Sequence, residues 1–326
     1  MRWLALGAAS VVLFTFGFAC GGSTSTQVKA ALPLARGYHQ MFSTTEGVLL
    51  FGGETAGPRL GGYVLGDVWI YKVGQGWTAK AGIGHKYGFV DGYDTKSHQL
   101  LSLVDSQEKF ERITETRLYD QGSDKWSQQS SDGRPDIANG SMMAYDAESD
   151  RMIVFTGETW AYTVSTNTWQ KMHPAKSPDF GNWGGFIYDE RSDRILYLGG
   201  DKPAALSDVW KYDYNRDTWS EVNTPSGPDP RVYPGLAYDS RTGLIYLFGG
   251  AVGGEDPLGD TWAYDPTTNL WSELHPTRSP SSRSWHAMAY DVTSGKVVLF
   301  GGGHNRGAFK NETWIYDPVA NNWAQG

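Results

Sequence analysis

Three side chains have the types and setting for acid–base chemistry: Glu158, His304 and Arg306. Glu158 stands in the shortest of several equivalent connections, where a carboxylate meets the least cover. His304 follows three glycines and, with Asn305 and Arg306, lies outside any recurring pattern. A carboxylate and an imidazole beside a guanidinium can move a proton and hold the charge that results. A second set suits binding rather than proton transfer. Tyr38, Trp183, Tyr233 and Trp285 recur at one position and offer flat π faces to a sugar or another flat ligand, and Glu54, Trp160, Asp201 and Arg231 are further candidates for the lining. Packing between repeated units is the competing use of the four aromatics. His39 and His286 each follow an arginine by three places; recurrence favours a structural hydrogen bond, and both stay candidates for the lining. His39, His286 and His304 lack the ligand spacing of a metal site. No Gly-rich phosphate loop, Ser-His-Asp arrangement or Cys/His cluster can be recognised, so no cofactor is expected.

A repeat must position these residues. An Asp closing one apolar segment recurs at 94, 146, 189, 239 and 291, and a late Trp at 126, 169, 219, 271 and 323, so the step is 43 to 52 residues by either marker. Nine residues after each Asp stands the last apolar residue before a Gly pair or its replacement: Leu103, Phe155, Leu198, Phe248 and Phe300. The apolar runs are short or alternating and are bounded by Gly, Thr or Asp, which is the pattern of strands. A period near fifty of this kind predicts an all-β propeller with four strands per unit. Six units follow, at about 35–78, 84–128, 137–171, 181–222, 231–274 and 283–326. The second is the most degraded, with Val104-Asp105 in place of the Gly pair and Arg117 in place of Trp. The third has lost most of one connection, Gly157 and Trp160 being 3 residues apart. Small residues in 235–238 and 287–290 suit a strand nearest the axis, and the recurrent Trp and Tyr fill the wider spaces between units. Only three residues follow Trp323. The sixth outer strand is therefore expected to be cut short and residues 24–31 to lie beside it and complete it.

The combination resembles the kelch repeat. Its elements here are Arg-x-x-His at 36–39 and 283–286, the Gly pair after an apolar strand, an acidic residue two before Trp (Asp67, Asp208, Asp260, Glu312), and the final Trp. The resemblance covers about nine tenths of the chain and implies a six-bladed β-propeller with four antiparallel strands per blade. Propeller topology puts the loops between second and third strands on the same face as the connections between blades, so a ligand site is expected there. Galactose oxidases share the superfamily, but their cofactor is a tyrosine cross-linked to a cysteine, and the sole cysteine here is Cys20. The resemblance thus stops short of copper chemistry. Kelch units supply a scaffold, and the function expected is a protein- or glycan-binding module rather than an enzyme. The alternative is a carbohydrate-active enzyme, an epimerase or mutarotase similar to the six-bladed kelch sialic-acid mutarotases, with its acid/base pair drawn from Glu158, His304 and the arginines.

A net charge of −8 without clustered Lys or Arg argues against nucleic acid as a partner. Residues 1–20 carry one Arg, an apolar run from Trp3 to Ala19, and Cys20, and the polar run from Gly21 to Thr26 reads as a flexible tether. This resembles a bacterial lipoprotein signal in which the Cys is lipidated, with one departure: Gly17 stands where that family has Leu. The resemblance implies export and a lipid tether to a bacterial membrane through Cys20, with residues 21–34 as tether and possible closing strand. The apolar run is also long enough for an uncleaved anchor. A single cysteine excludes an internal disulfide, and a monomer is expected.

Overall fold

A computed structural model describes residues 32–56, 62–84, 87–108, 111–130, 132–137, 140–181, 183–200, 208–253, 256–304 and 308–326. Six four-stranded antiparallel sheets follow one another along the chain. Their innermost strands are Gln40–Thr44, Tyr87–Asp94, Met142–Asp146, Gly185–Asp189, Gly235–Asp239 and Ser284–Asp291. Each inner strand packs against the next, and the sixth packs against the first, so the sheets are the blades of a six-bladed propeller. Among the described residues no helix is long and apolar enough to cross a membrane.

The second strand of each blade is sandwiched between neighbours. Val48, Leu49, Leu50 and Phe51 are fully covered, as are Met152 to Phe155 and Val297 to Phe300, which explains why these runs are continuously apolar. The aromatics are used in pairs. A third-strand Tyr lies directly across from a fourth-strand Trp in every blade: Tyr71–Trp77, Tyr119–Trp126, Tyr162–Trp169, Tyr212–Trp219, Tyr264–Trp271 and Tyr316–Trp323, with centroids 4.6–5.3 Å apart. Each such pair contributes about 0.5–1.5 kcal/mol beyond the area it buries.

Closure uses the ordinary contact between blades. The indole N–H of Trp219 donates to Thr159 of the preceding blade (2.9 Å), and Trp323 donates to Thr261 likewise (3.2 Å). Trp77 of blade 1 donates to Thr313 of blade 6 (2.9 Å), so the seam is made as the other interfaces are. Blade 6 supplies its own fourth strand, Asn322–Gln325. Its described sheet thus has four strands; residues 24–31, expected beside it, lie outside the described residues, as does Cys20.

The small residues of the inner strands answer to convergence. A Cβ on Gly235 would stand 2.5 Å from His286 of the next blade, and one on Gly185 would stand 2.1 Å from Leu236. In blade 3 the connection between second and third strands is reduced to residues 156–158, closed by Thr156 N–H donating to the Glu158 carbonyl at 3.0 Å. Blade 2 does the opposite. Its second and third strands, Gln99–Glu108 and Glu111–Asp120, stay paired for ten residues each and run on as a ribbon past the level where the other blades turn.

Candidate functional site

The inner strands surround a cavity of about 720 Å³ on the propeller axis. One end lies on the loop face, where the chain enters each inner strand. The other lies on the hairpin face, where first and second strands join. Tyr38, His39, Glu54, Trp183, Tyr233, Trp285 and His286 all line the cavity.

The four recurrent aromatics share a backbone conformation as well as a position. Tyr38, Trp183, Tyr233 and Trp285 have φ of 59°, 62°, 55° and 61°, in the left-handed region. That conformation costs a residue with a Cβ about 1–2 kcal/mol. Hydrogen bonds between blades hold it: Tyr38 N–H donates to the Trp285 carbonyl and Tyr233 N–H to that of Trp183, both at 3.0 Å. The side chains thereby turn inward and meet. Tyr233 lies 5.5 Å from Tyr38, 5.1 Å from Trp183 and 5.5 Å from Trp285, and Tyr38 lies 6.0 Å from Trp285. Phe309 backs the group from blade 6. Blades 2 and 3 carry Gly88 and Gly140 at the equivalent position, and Gly140 is left-handed too, with φ of 85°. The mouth on the loop face is therefore narrowed by rings from blades 1, 4, 5 and 6 and has no side chain at that position in blades 2 and 3.

His39 and His286 are buried between blades beneath this mouth. His286 donates from Nε2 to the Phe248 carbonyl of the preceding blade at 3.1 Å, and His39 packs edge-on to Phe300 in the same relation. Burial, reinforced by Arg283, pushes the His286 imidazole down to about 3. His39 is likewise held well below the usual histidine range, by burial first and then by Arg36 and His286. Both rings are neutral parts of the scaffold at ordinary pH.

Other expected lining residues lie elsewhere. Arg231 is buried in an ion pair, with both carboxylate oxygens of Asp260 at 2.6 and 2.8 Å and the Gly249 carbonyl at 3.0 Å; Trp262 donates to the same carboxylate at 2.6 Å. Arg36 repeats this with Asp67, Gly52 and Trp69, and Arg283 with Glu312, Gly301 and Trp314. The opening Arg, the Gly pair and the acidic-x-Trp element are thus one hydrogen-bonded unit within a blade. Glu158 is 55% exposed, bonded to Lys171 at 2.6 Å, and away from the cavity. That lysine holds its carboxyl below the ordinary glutamate range. Trp160 lies beside it on the third strand, with Lys171 5.7 Å from its ring centre. His304 is exposed, just beyond the inner hairpin of blade 6, and does not line the cavity. The structure thus separates Glu158 from His304 and removes Arg231 from the lining. Arg306 and Asp201 lie outside the described residues.

Two features were not among the expected site residues. The cavity wall exposes Phe42, Met142, Phe186, Ile187 and Leu236 in part, together with Gln40 and Ser43. Asp91 stands in the inner strand of blade 2 at the place of Met41, Met143, Phe186, Leu236 and Met288. It is buried, it accepts one hydrogen bond from Ser102 at 2.5 Å, and burial raises its carboxyl from 3.8 to about 7. Among the described residues no group of three His, Cys, Asp or Glu is placed to hold a metal ion.

Residues 158–326 match the model of the KLHDC2/KLHL20/DRC7 Kelch-repeats domain. The solved structure of YjhT aligns with 91% of this chain and 99% of its own at a TM-score of 0.67 and 12% identity, a likeness of fold alone. No curated protein matches the chain.

Proposed function

The chain belongs to the kelch-repeat family; from that membership we propose that it is a binding module whose glycan or protein partner is held at the aromatic mouth on the loop face, and from the lipoprotein-like residues 1–20 that it is exported and membrane-tethered. The observation that carries this reading is the group Tyr38, Trp183, Tyr233 and Trp285. Four bulky residues kept in the left-handed region, each at a local cost, mark a place where conformation serves recognition. Among the described residues, Trp183 and Tyr38 bound the side of the mouth where blades 2 and 3 carry glycine. A sugar ring or a planar side chain entering there has an aromatic face to stack on. The acid–base reading lacks comparable support, because Glu158 is engaged with Lys171 away from the cavity.

A glycan array and a panel of free sugars, scored by thermal shift and tryptophan fluorescence, test the reading. A saturable response is expected, weakened about tenfold or more in Trp183→Gly, a stacking loss of about 1.4 kcal/mol. Glycine is compatible with the backbone there, since Gly140 occupies the equivalent place. Silence from every sugar leaves a protein partner. A response that Trp183→Gly leaves unchanged removes the mouth as the site.

The tether rests on Cys20 and the Gly-Gly-Ser-Thr run behind it. Cys20→Ser is expected to move the protein from the membrane fraction of a bacterial host to the soluble exported fraction, with loss of an acylated N-terminal peptide by mass spectrometry. Retention in the membrane would instead assign the anchor to the apolar run.

A further inference from the structure

We propose that the axial cavity beneath the aromatic mouth, whose rings form its loop end, is a second binding site and that it takes one uncharged, mainly apolar molecule entering from the hairpin face. The size fits: about 720 Å³ lies within the usual 300–1,000 Å³ of small-molecule sites.

The wall sets the chemistry. Second strands of the blades cover nearly all of their apolar side chains, whereas Phe42, Met142, Phe186, Ile187 and Leu236 of the inner strands keep part of their surface open to the cavity. Apolar area left uncovered inside a folded body favours an occupant that covers it. Charge is excluded along the same wall. None of the six inner strands contains Lys or Arg. Their closing aspartates are buried, and Asp94, Asp146, Asp189, Asp239 and Asp291 accept backbone N–H groups of the hairpin turns. Ionisable side chains stand only at the ends of the lining, Glu54 at the loop face and His98 and Glu190 at the hairpin face; between them His39 and His286 are neutral, so an ionic ligand seated midway gains no opposite charge to offset its desolvation. A free sugar fits poorly as well. Its hydroxyls need partners, each buried polar group left unmet costs about 1–3 kcal/mol, and the polar side chains that the wall exposes midway are Gln40 and Ser43. Tyr145 and Tyr188 direct their hydroxyls to Asp150 and Asp193 of their own turns. A hydrocarbon chain or fused-ring compound with one hydrogen-bonding group matches this wall.

The ends differ. Four rings narrow the loop end, whereas at the hairpin end the residues that follow the inner strands and line the cavity include the short Thr45, Thr95, Ala147, Ser240 and Val292. Of these, Thr45, Thr95 and Val292 are exposed.

The neutral probe N-phenyl-1-naphthylamine tests the proposal on the purified full chain, read as energy transfer from tryptophan. Saturable transfer with one probe per chain is expected, displaced by 1-dodecanol and unaffected by glucose or N-acetylglucosamine. Ala147→Trp and Thr95→Trp, which obstruct the hairpin rim, are expected each to weaken binding about tenfold with thermal midpoints unchanged. Gly140→Tyr, which adds a ring at the loop end where other blades already carry one, is expected to weaken binding less than either rim variant does. Absence of saturable transfer, or displacement by sugars, overturns the apolar site. Loss of binding in Gly140→Tyr with both rim variants unaffected overturns entry from the hairpin face.

Discussion

Replacing Arg231 with alanine is expected to lower the unfolding free energy by about 3–5 kcal/mol, measured by chemical denaturation followed through tryptophan fluorescence. The guanidinium is 1% exposed and satisfies the Asp260 carboxylate and the Gly249 carbonyl together. Burial alone would raise the Asp260 carboxyl; the hydrogen bonds and charge of Arg231 outweigh it and hold the group below the usual aspartate range. Alanine removes that compensation and leaves a partly buried carboxylate beside an unmet carbonyl. Arg231→Lys is expected to fall between, because one ammonium cannot reproduce the planar fork that reaches four oxygens, the Asp229 carbonyl included. The alternative role, ligand recognition, predicts the opposite pattern: affinity lost with stability kept. A loss below about 1 kcal/mol in Arg231→Ala would show that the ion pair behaves as an exposed one and does not anchor the blade.

The same unit explains why the fold was legible in the sequence and much of the site was not. Arg36, Arg231 and Arg283 each bond the carbonyl of the first glycine of their pair and the carboxylate two residues before a Trp. A blade cannot close this network without all three elements, so they repeat in register. Residues that repeat report the scaffold. Glu158 drew attention because its connection is short, but a loop between second and third strands projects from the middle of a blade, and shortening it brings it no nearer the axis. His304 follows a second strand for the same reason. What reaches the axis is chiefly the inner strand with the residues at its two ends, Glu54 being an exception from the connection after a second strand, and the aromatics at the loop end are legible from their constant spacing. Gly88 and Gly140 stand at that same spacing, but a glycine carries no side chain by which the sequence alone would mark it as the complement of the rings. Asp91 was open to recognition too, as the one polar residue at a position filled elsewhere by Met, Phe or Leu. Its significance depends on burial, which one strand's sequence does not reveal when half of each inner strand faces a neighbouring blade.

Asp91→Asn is expected to stabilise the protein at pH 8 by up to about 4 kcal/mol, from 1.36 kcal/mol for each tenfold change in proton affinity, and to have almost no effect at pH 4. The carboxyl is raised by burial from 3.8 to about 7, the Ser102 hydrogen bond opposing this only in part. A raised carboxyl means that the folded state holds the proton more tightly than the unfolded chain. Stability from this group is complete below about pH 4, is lost as pH rises towards 7, and stays lost above it. The two buried histidines act in the other direction. Their folded values are depressed, so the unfolded chain takes up protons first, and stability falls as pH drops from about 6.5 towards the His286 value of about 3. Between pH 4 and 6 the depressed histidines make stability rise with pH while the raised Asp91 carboxyl opposes that rise, so Asp91→Asn is expected to gain stability with pH more steeply than the native chain. Denaturation midpoints of the two proteins between pH 4 and 8 measure the difference directly: curves that diverge as pH rises place the buried proton on Asp91, and parallel curves would place it elsewhere.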